Sequence, residues 1–274
     1  MQLLVHGARG SAPVSGPQFA RHGGYTSCYG LTLPDGQHLI IDCGSGLRCL
    51  ETSLAKRGED GRPFEATVLL THFHWDHIQG LPFFTPLYLP TTRLHFVASP
   101  PVGLDVAGAL AAVMRPPWFP VEFLESGAQL TFQVLGEGPL SVGSLEITSA
   151  RLDHPGGVTG YRVAHDRGVL VTATDVEAPT EESRAIVARF AEGATVLIHD
   201  AQYTPMEYES SRRGWGHSTW QHAARVASDA RVGRLVLTSH DPTRTDEQIA
   251  DIVKSASAQF PATEAAFEGQ SIEF

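Results

Sequence analysis

The chain has 274 residues, 42% of them apolar and 18% charged, which suits a globular protein with a sizeable buried core. Its 30 acidic against 20 basic side chains leave a formal net charge of −10, without the basic footprint of a protein whose main partner is a long nucleic acid. No apolar run approaches the roughly 20 residues of a membrane span, and the 3 cysteines show no CxxC spacing that would suggest a disulfide framework.

The opening MQLLVHGARG has no basic flank leading into an apolar export signal, so a cytoplasmic location is expected. Within it, residues 2–6 read as a strand, and a loop rich in Gly, Ser and Pro runs on to Ser27. Residues 28–33 and 38–42 read as a hairpin across Pro34-Asp35-Gly36. A helix is predicted over Leu47–Arg57, and 66–71 is a short apolar run typical of a buried strand. Further on, 94–98, 129–135 and 140–149 read as strands, 103–113 as a helix, and Arg115 to Pro120 as a Pro-rich loop. Strands at 159–165 and 169–174 flank the turn Asp166-Arg167-Gly168. Thr180 stands as an N-cap, with Glu181 and Glu182 in the first turn of the helix it opens. A strand at 194–199, a helix that follows His217-Ser218-Thr219 and runs to about Ala230, a strand at 232–238 and a helix at 245–257 complete the pattern. Strands, helix and strands, twice over, predict an α/β chain with two sheets and helices outside.

Chemistry concentrates at strand ends, where layered α/β folds collect their sites. His72-Phe73-His74-Trp75-Asp76-His77 sets four potential ligands within six residues, directly after an apolar strand. An extended segment points His72 and His74 the same way, and a turn after Trp75 aims Asp76 and His77 at a second point. Two ions about 3.5–4 Å apart need such a cradle. His154, Asp175 and His240 each end or follow a predicted strand and supply further imidazole or carboxylate donors. Such N/O ligands suit divalent ions: zinc first, with manganese or iron as alternatives. Asp42 also ends a strand and reads either as a turn former or as a carboxylate that orients a ligand histidine. Cys43 reads as a small buried residue.

These residues resemble, in their order, the metallo-β-lactamase fold superfamily. The likeness is carried by HxHxDH at 72–77, by Asp42-Cys43-Gly44, and by His154, Asp175 and His240, and it spans nearly the whole chain. His199-Asp200-Ala201, Gly216-His217-Ser218-Thr219 and Gly160-Tyr161-Arg162 resemble elements of the ribonuclease Z and phosphodiesterase branch. Gly23-Gly24-Tyr25-Thr26-Ser27 is similar to a segment of bacterial hydrolases of this fold whose substrates are unsettled. The resemblance implies a four-layer αββα sandwich, one domain over residues 1–274, and a homodimer. It implies one metal on His72, His74 and His154, another on Asp76, His77 and His240, and Asp175 bridging the two. It also implies His217 over the scissile phosphate, supported by Asp200, with Asp76 orienting the attacking water while it ligates.

The expected function is a two-metal phosphodiesterase on small diesters such as cyclic nucleotides. RNA 3′-end processing is the alternative. Bacterial ribonuclease Z proteins often carry a long tRNA-gripping arm between their third and fourth motifs. Here only 21 positions separate His154 from Asp175, almost filled by a hairpin, and the chain is acidic. The loop between His199 and His217 carries Tyr203, Tyr208, Arg212, Arg213 and Trp215, a composition that suits either base and phosphate contacts or plain surface packing. A sensor domain is disfavoured by the intact ligand series. Action on lactones, thioesters or β-lactams is disfavoured by His217 and the His199-Asp200 element.

Overall fold

The computed structural model describes residues 1–58, 64–136 and 138–274, with side chains left aside from 53 to 58. In chain order the strands are β1 (Gln2–Gly7), β2 (Cys28–Thr32), β3 (His38–Ile41), β4 (Glu65–Leu69), β5 (Arg93–Ala98), β6 (Gln129–Val134), β7 (Leu140–Val142), β8 (Leu145–Leu152), β9 (Val158–His165), β10 (Gly168–Ala173), β11 (Val196–Asp200), β12 (Arg234–Thr238), β13 (Thr263–Ala265) and β14 (Ser271–Glu273). The helices are α1 (Leu47–Gly58), α2 (Trp75–Ile78), α3 (Val106–Val113), α4 (Glu181–Phe190), α5 (Pro205–Glu207), α6 (Trp220–Asp229) and α7 (Asp246–Ser257). Two seven-stranded sheets form, ordered β14-β1-β2-β3-β4-β5-β6 and β13-β12-β11-β10-β9-β8-β7.

Strand alternation produces the layers. In β3, Leu39 and Ile41 face the second sheet while Ile40 joins a cluster with Leu47 and Leu50 of α1 and Val106 and Leu110 of α3. In β11, Val196 and Ile198 enter the core between the sheets, and Leu197 meets Val187 of α4, Ala223 of α6 and Ile252 of α7. Three apolar cores therefore separate four layers, the expected αββα arrangement. Each fully buried Leu, Ile or Phe in them contributes about 1.5–3 kcal/mol. Capping is systematic: Thr180, Thr204, Thr219 and Thr245 each close a reciprocal box with the residue three positions on.

The elements differ from expectation in three places. The run 140–149 breaks into β7 and β8, because Gly143 takes φ 55° and turns the chain back. The C-terminal residues add β13 and β14, too short to show any period, and Gln2↔Glu273 sets β14 beside β1. The loop after β11 contains α5 and a π turn at Tyr208–Arg212. No described helix is long and apolar enough to cross a membrane.

β3, β4 and β5 are parallel in one sheet, and β10, β11 and β12 in the other, so their C-terminal ends gather along one edge of the sandwich. Near that edge the sheets are joined by buried polar contacts. Tyr161 Oη donates to Leu70 O at 2.7 Å, Tyr29 Oη lies 2.6 Å from Thr238 Oγ1, and Thr159 N donates to Thr71 O at 2.9 Å.

Candidate metal centre

Three strands end in residues with left-handed backbone: Asp42 at φ 60°, Asp175 at φ 52° and Ser239 at φ 55°. Non-glycine residues rarely adopt this region, and here it turns each chain sharply where the polar side chains begin. Asp42 is fully buried. Its Oδ1 accepts from Thr71 N at 2.8 Å, and its Oδ2 accepts from Ser27 Oγ at 3.0 Å and from His77 Nδ1 at 2.7 Å. That last bond fixes the His77 tautomer, so Asp42 orients a ligand-type histidine rather than merely forming a turn. The Gly23–Ser27 segment is the other half of this support. Thr26 Oγ1 donates to Asp76 O at 2.6 Å and accepts from Ser45 N at 2.9 Å, while an added Cβ on Gly24 would sit 1.9 Å from Val14 O.

The ring nitrogens and carboxylate oxygens converge in overlapping clusters whose ligand atoms all lie within 4.8 Å of one another: His72, His74 and His154; His72, His77 and Asp175; and Asp175, Asp200 and His217. His74 Nδ1 faces His154 Nε2 at 3.0 Å, and His72 Nε2 lies 3.9 Å from Asp175 Oδ2. His77 Nε2 lies 3.0 Å from Asp175 Oδ2 and 3.4 Å from Asp76 Oδ2. Donors about 2.0–2.2 Å from a tetrahedral ion would be roughly 3.3 Å apart, which these separations bracket. His72 Nε2 is buried with no hydrogen-bond partner, a lone pair pointing into the cluster. His154 donates Nδ1–H to Gly216 O at 2.7 Å, which leaves an Nε2 lone pair turned toward His74 Nδ1. The donor set therefore fits divalent cations.

Electrostatics point the same way. Burial opposes charge on His77, yet Asp175, Asp42 and Asp76 surround it and hold its pKa well above the ordinary imidazole value. Burial pushes Asp175 up, but His77, His217 and His72 outweigh it and keep its carboxyl well below the usual range. Without a metal, a proton on His77 supplies the positive charge that the buried carboxylates require.

Two expected ligands stand further out. Asp76 belongs to none of the three clusters, although its Oδ2 faces His77 and is fixed by Ser11 N at 2.7 Å. His240 is not brought into any of them. Its backbone is stitched between Ala8 O and Gly10 N, its Nε2 donates to Ala266 O at 3.0 Å, and its ring lies edge-on to His22. Only Nδ1 is left for another partner. The residue before it makes the contact instead: Ser239 Oγ donates to Asp175 Oδ1 at 2.9 Å. Thr71, Ser11 and Ser239 were not singled out in the sequence. Thr71 and Ser239 each sit directly before an expected ligand, the one local signal that points to them.

His217 Nδ1 lies 2.6 Å from Asp200 Oδ2, and Asp200 is fully buried, with Oδ1 accepting from Ser218 N at 2.8 Å. Burial disfavours an imidazolium here, but Asp200 and then Asp175 raise the His217 pKa to about 9. A groove of about 540 Å³ opens beside the histidines, lined by His72, Phe73, His74, Pro100, Val102 and Gly156 among others.

The family model of the β-lactamase superfamily domain matches residues 37–240. A ribonuclease Z from Lachnospira eligens is 26% identical over 290 residues, covering 89% of this chain and 90% of its own. The crystal structure of the metallo-β-lactamase fold protein YhfI from Bacillus subtilis superposes with a TM-score of 0.73 at 19% identity, covering 99% of both chains. A diphosphatase from the PhnP family gives 0.68 at 17% identity, covering 100% of this chain and 97% of that one. The chain thus belongs to the β-lactamase superfamily and is a hydrolase of the metallo-β-lactamase fold.

Proposed function

We propose that the protein is a dinuclear metal-dependent phosphodiesterase acting on small phosphodiesters. The observation that carries this reading is the buried His217–Asp200 pair, 2.6 Å apart, set against the carboxylate of Asp175. An imidazole anchored through Nδ1 by a buried carboxylate, beside a cation cradle, is placed to give a proton to an alkoxide leaving phosphorus.

In this reading His72, His74 and His154 hold one ion. Asp76 and His77 would hold the other, Asp175 would serve both, and Nδ1 is the nitrogen through which His240 would contribute. When bound, such ions supply Lewis acidity toward phosphoryl oxygens and lower the pKa of water toward about 7. Asp42 and Thr71 keep His77 in one tautomer. Ser11 N fixes Asp76 Oδ2, so that this carboxylate can orient the attacking water. Asp200 anchors the Nδ1 side of His217, leaving its Nε2–H to donate to the phosphoryl or leaving oxygen.

RNA 3′-end processing is the second reading, favoured by the relative named ribonuclease Z with its 89% coverage of this chain. Against it stand the net charge of −10 and the β9–β10 hairpin, which occupies the interval between His154 and Asp175. Zinc- or manganese-loaded protein assayed on a chromogenic phosphodiester, cyclic nucleotides, a tRNA precursor and a lactone separates the readings. Turnover of the diesters with little or none of the precursor is expected; efficient cleavage of the precursor alone would overturn the small-diester reading.

A further inference from the structure

The segment from Tyr203 to Gly216 is anchored by buried polar contacts. Glu177, buried behind it, accepts from Tyr208 Oη at 2.5 Å and Gly214 N at 2.7 Å through Oε1, and from Gly216 N at 2.8 Å through Oε2. Its own backbone N donates to Asp153 O at 2.8 Å, and Gly216 O takes the Nδ1–H of His154. Glu177, through its carboxylate and its backbone, and Gly216 thus tie the segment to His154 and to its neighbour Asp153. Gly216 has no room to shift: at φ 88°, a Cβ there would lie 2.4 Å from His154 Nδ1.

On this frame sits an unusual pair. The Arg212 guanidinium lies 4.3 Å from the Trp215 ring centroid and 5.8 Å from that of Tyr203. Tyr203 in turn packs edge-on against His217, with ring centroids 5.8 Å apart. A ladder of rings and one cation therefore runs from the candidate proton donor to Trp215, which is 56% exposed. Arg213 next door is paired with Glu209, whereas Arg212 makes no ion pair among the described residues, although this chain is rich in carboxylates. A cation held by aromatics and left without a carboxylate suits an incoming anion.

We propose that Arg212 and Trp215 recognise the group flanking the scissile phosphorus as a nucleoside, the base stacking on Trp215 and an anionic oxygen of the nucleotide meeting Arg212. This rests on the phosphodiester reading and narrows it to nucleotidyl substrates. Stacking on an exposed ring reads any base by its π-face, so discrimination between bases is weak and discrimination against diesters without a base is strong.

The test compares zinc-loaded wild type, Trp215→Ala, Trp215→Phe and Arg212→Gln on thymidine 5′-(p-nitrophenyl phosphate) and methyl p-nitrophenyl phosphate. It adds binding of thymidine 5′-monophosphate by calorimetry. Wild type should prefer the thymidine ester by about ten-fold in kcat/KM, chiefly through KM. The ratio should fall toward one in Trp215→Ala and in Arg212→Gln, with Trp215→Phe retaining most of it. Monophosphate binding should weaken in the same order. An unchanged ratio in both variants, or a monophosphate that fails to bind wild type, overturns the proposal. If wild type turns over neither ester, the phosphodiesterase reading falls, and the binding series still decides the role of Arg212 and Trp215.

Discussion

The two ligand clusters share His72 and are otherwise built on opposite lines. One is three imidazoles, with His74 exposed and His154 half-buried, held in shape largely by backbone: Gly216 O on His154 and the extended run 72–74. The other is sealed and anionic. His77, Asp42 and Asp175 are buried, and Ser27, Thr71 and Ser239 saturate the carboxylates with hydroxyl bonds. The contrast separates two tasks. The open side, without a carboxylate, faces solvent, while the sealed side gathers negative charge that a cation or a proton on His77 offsets.

The strongest blow to this asymmetry is Asp175→Ala, which removes the carboxylate that faces Nε2 of both His72 and His77. Bound metal should drop below two per chain, and diester turnover should fall roughly a thousand-fold or more, the scale of several kcal/mol of transition-state stabilisation. Full occupancy by elemental analysis would remove Asp175 from its bridging place. Next comes His217→Ala, which should leave metal content intact while kcat falls by about 10²–10⁴. An unaffected kcat would strip His217 of its role as donor. Asp42→Asn, isosteric but uncharged, should weaken metal affinity about 10–100-fold on the sealed side alone, measured by competition with a chelator. Equal weakening of both sites would erase the distinction between them.

The smallest effect concerns pH. His77 and His217 have raised pKa values in the metal-free protein, the latter to about 9. The stability they contribute is complete below the unfolded imidazole value of about 6.5 and is lost as pH rises through the folded values. Chelator-treated protein should therefore lose at least about 3 °C of melting temperature between pH 6.5 and 9. Zinc-loaded protein should lose less, because the metal replaces the proton on His77. A flat metal-free profile would contradict the proton-for-cation exchange.

Much of this was legible from residue order. Ligand-type residues packed into 72–77 and recurring at strand ends leave little else to explain them, and period-two alternation in segments such as 38–41 and 196–199 sets the layers. Asp42 could be read as an orienting carboxylate because it ends a strand. What stayed hidden depended on contacts between distant segments. Glu177 meets Gly214 and Gly216 across 37 and 39 positions, with no local pattern to mark it. The committed Nε2 of His240 follows from Ala266, which lies in a C-terminal segment whose strands are three residues long. No composition signal foretells that Ser239, rather than its neighbour His240, reaches Asp175.

The most direct test of the central claim is a calorimetric titration of metal-free protein with zinc in buffers of different ionisation enthalpy. It should reveal two sites per chain, and binding at the carboxylate-rich one should release protons at pH 7.5, that on His77 among them. Binding of fewer than two ions, or of two without proton release, would contradict the account.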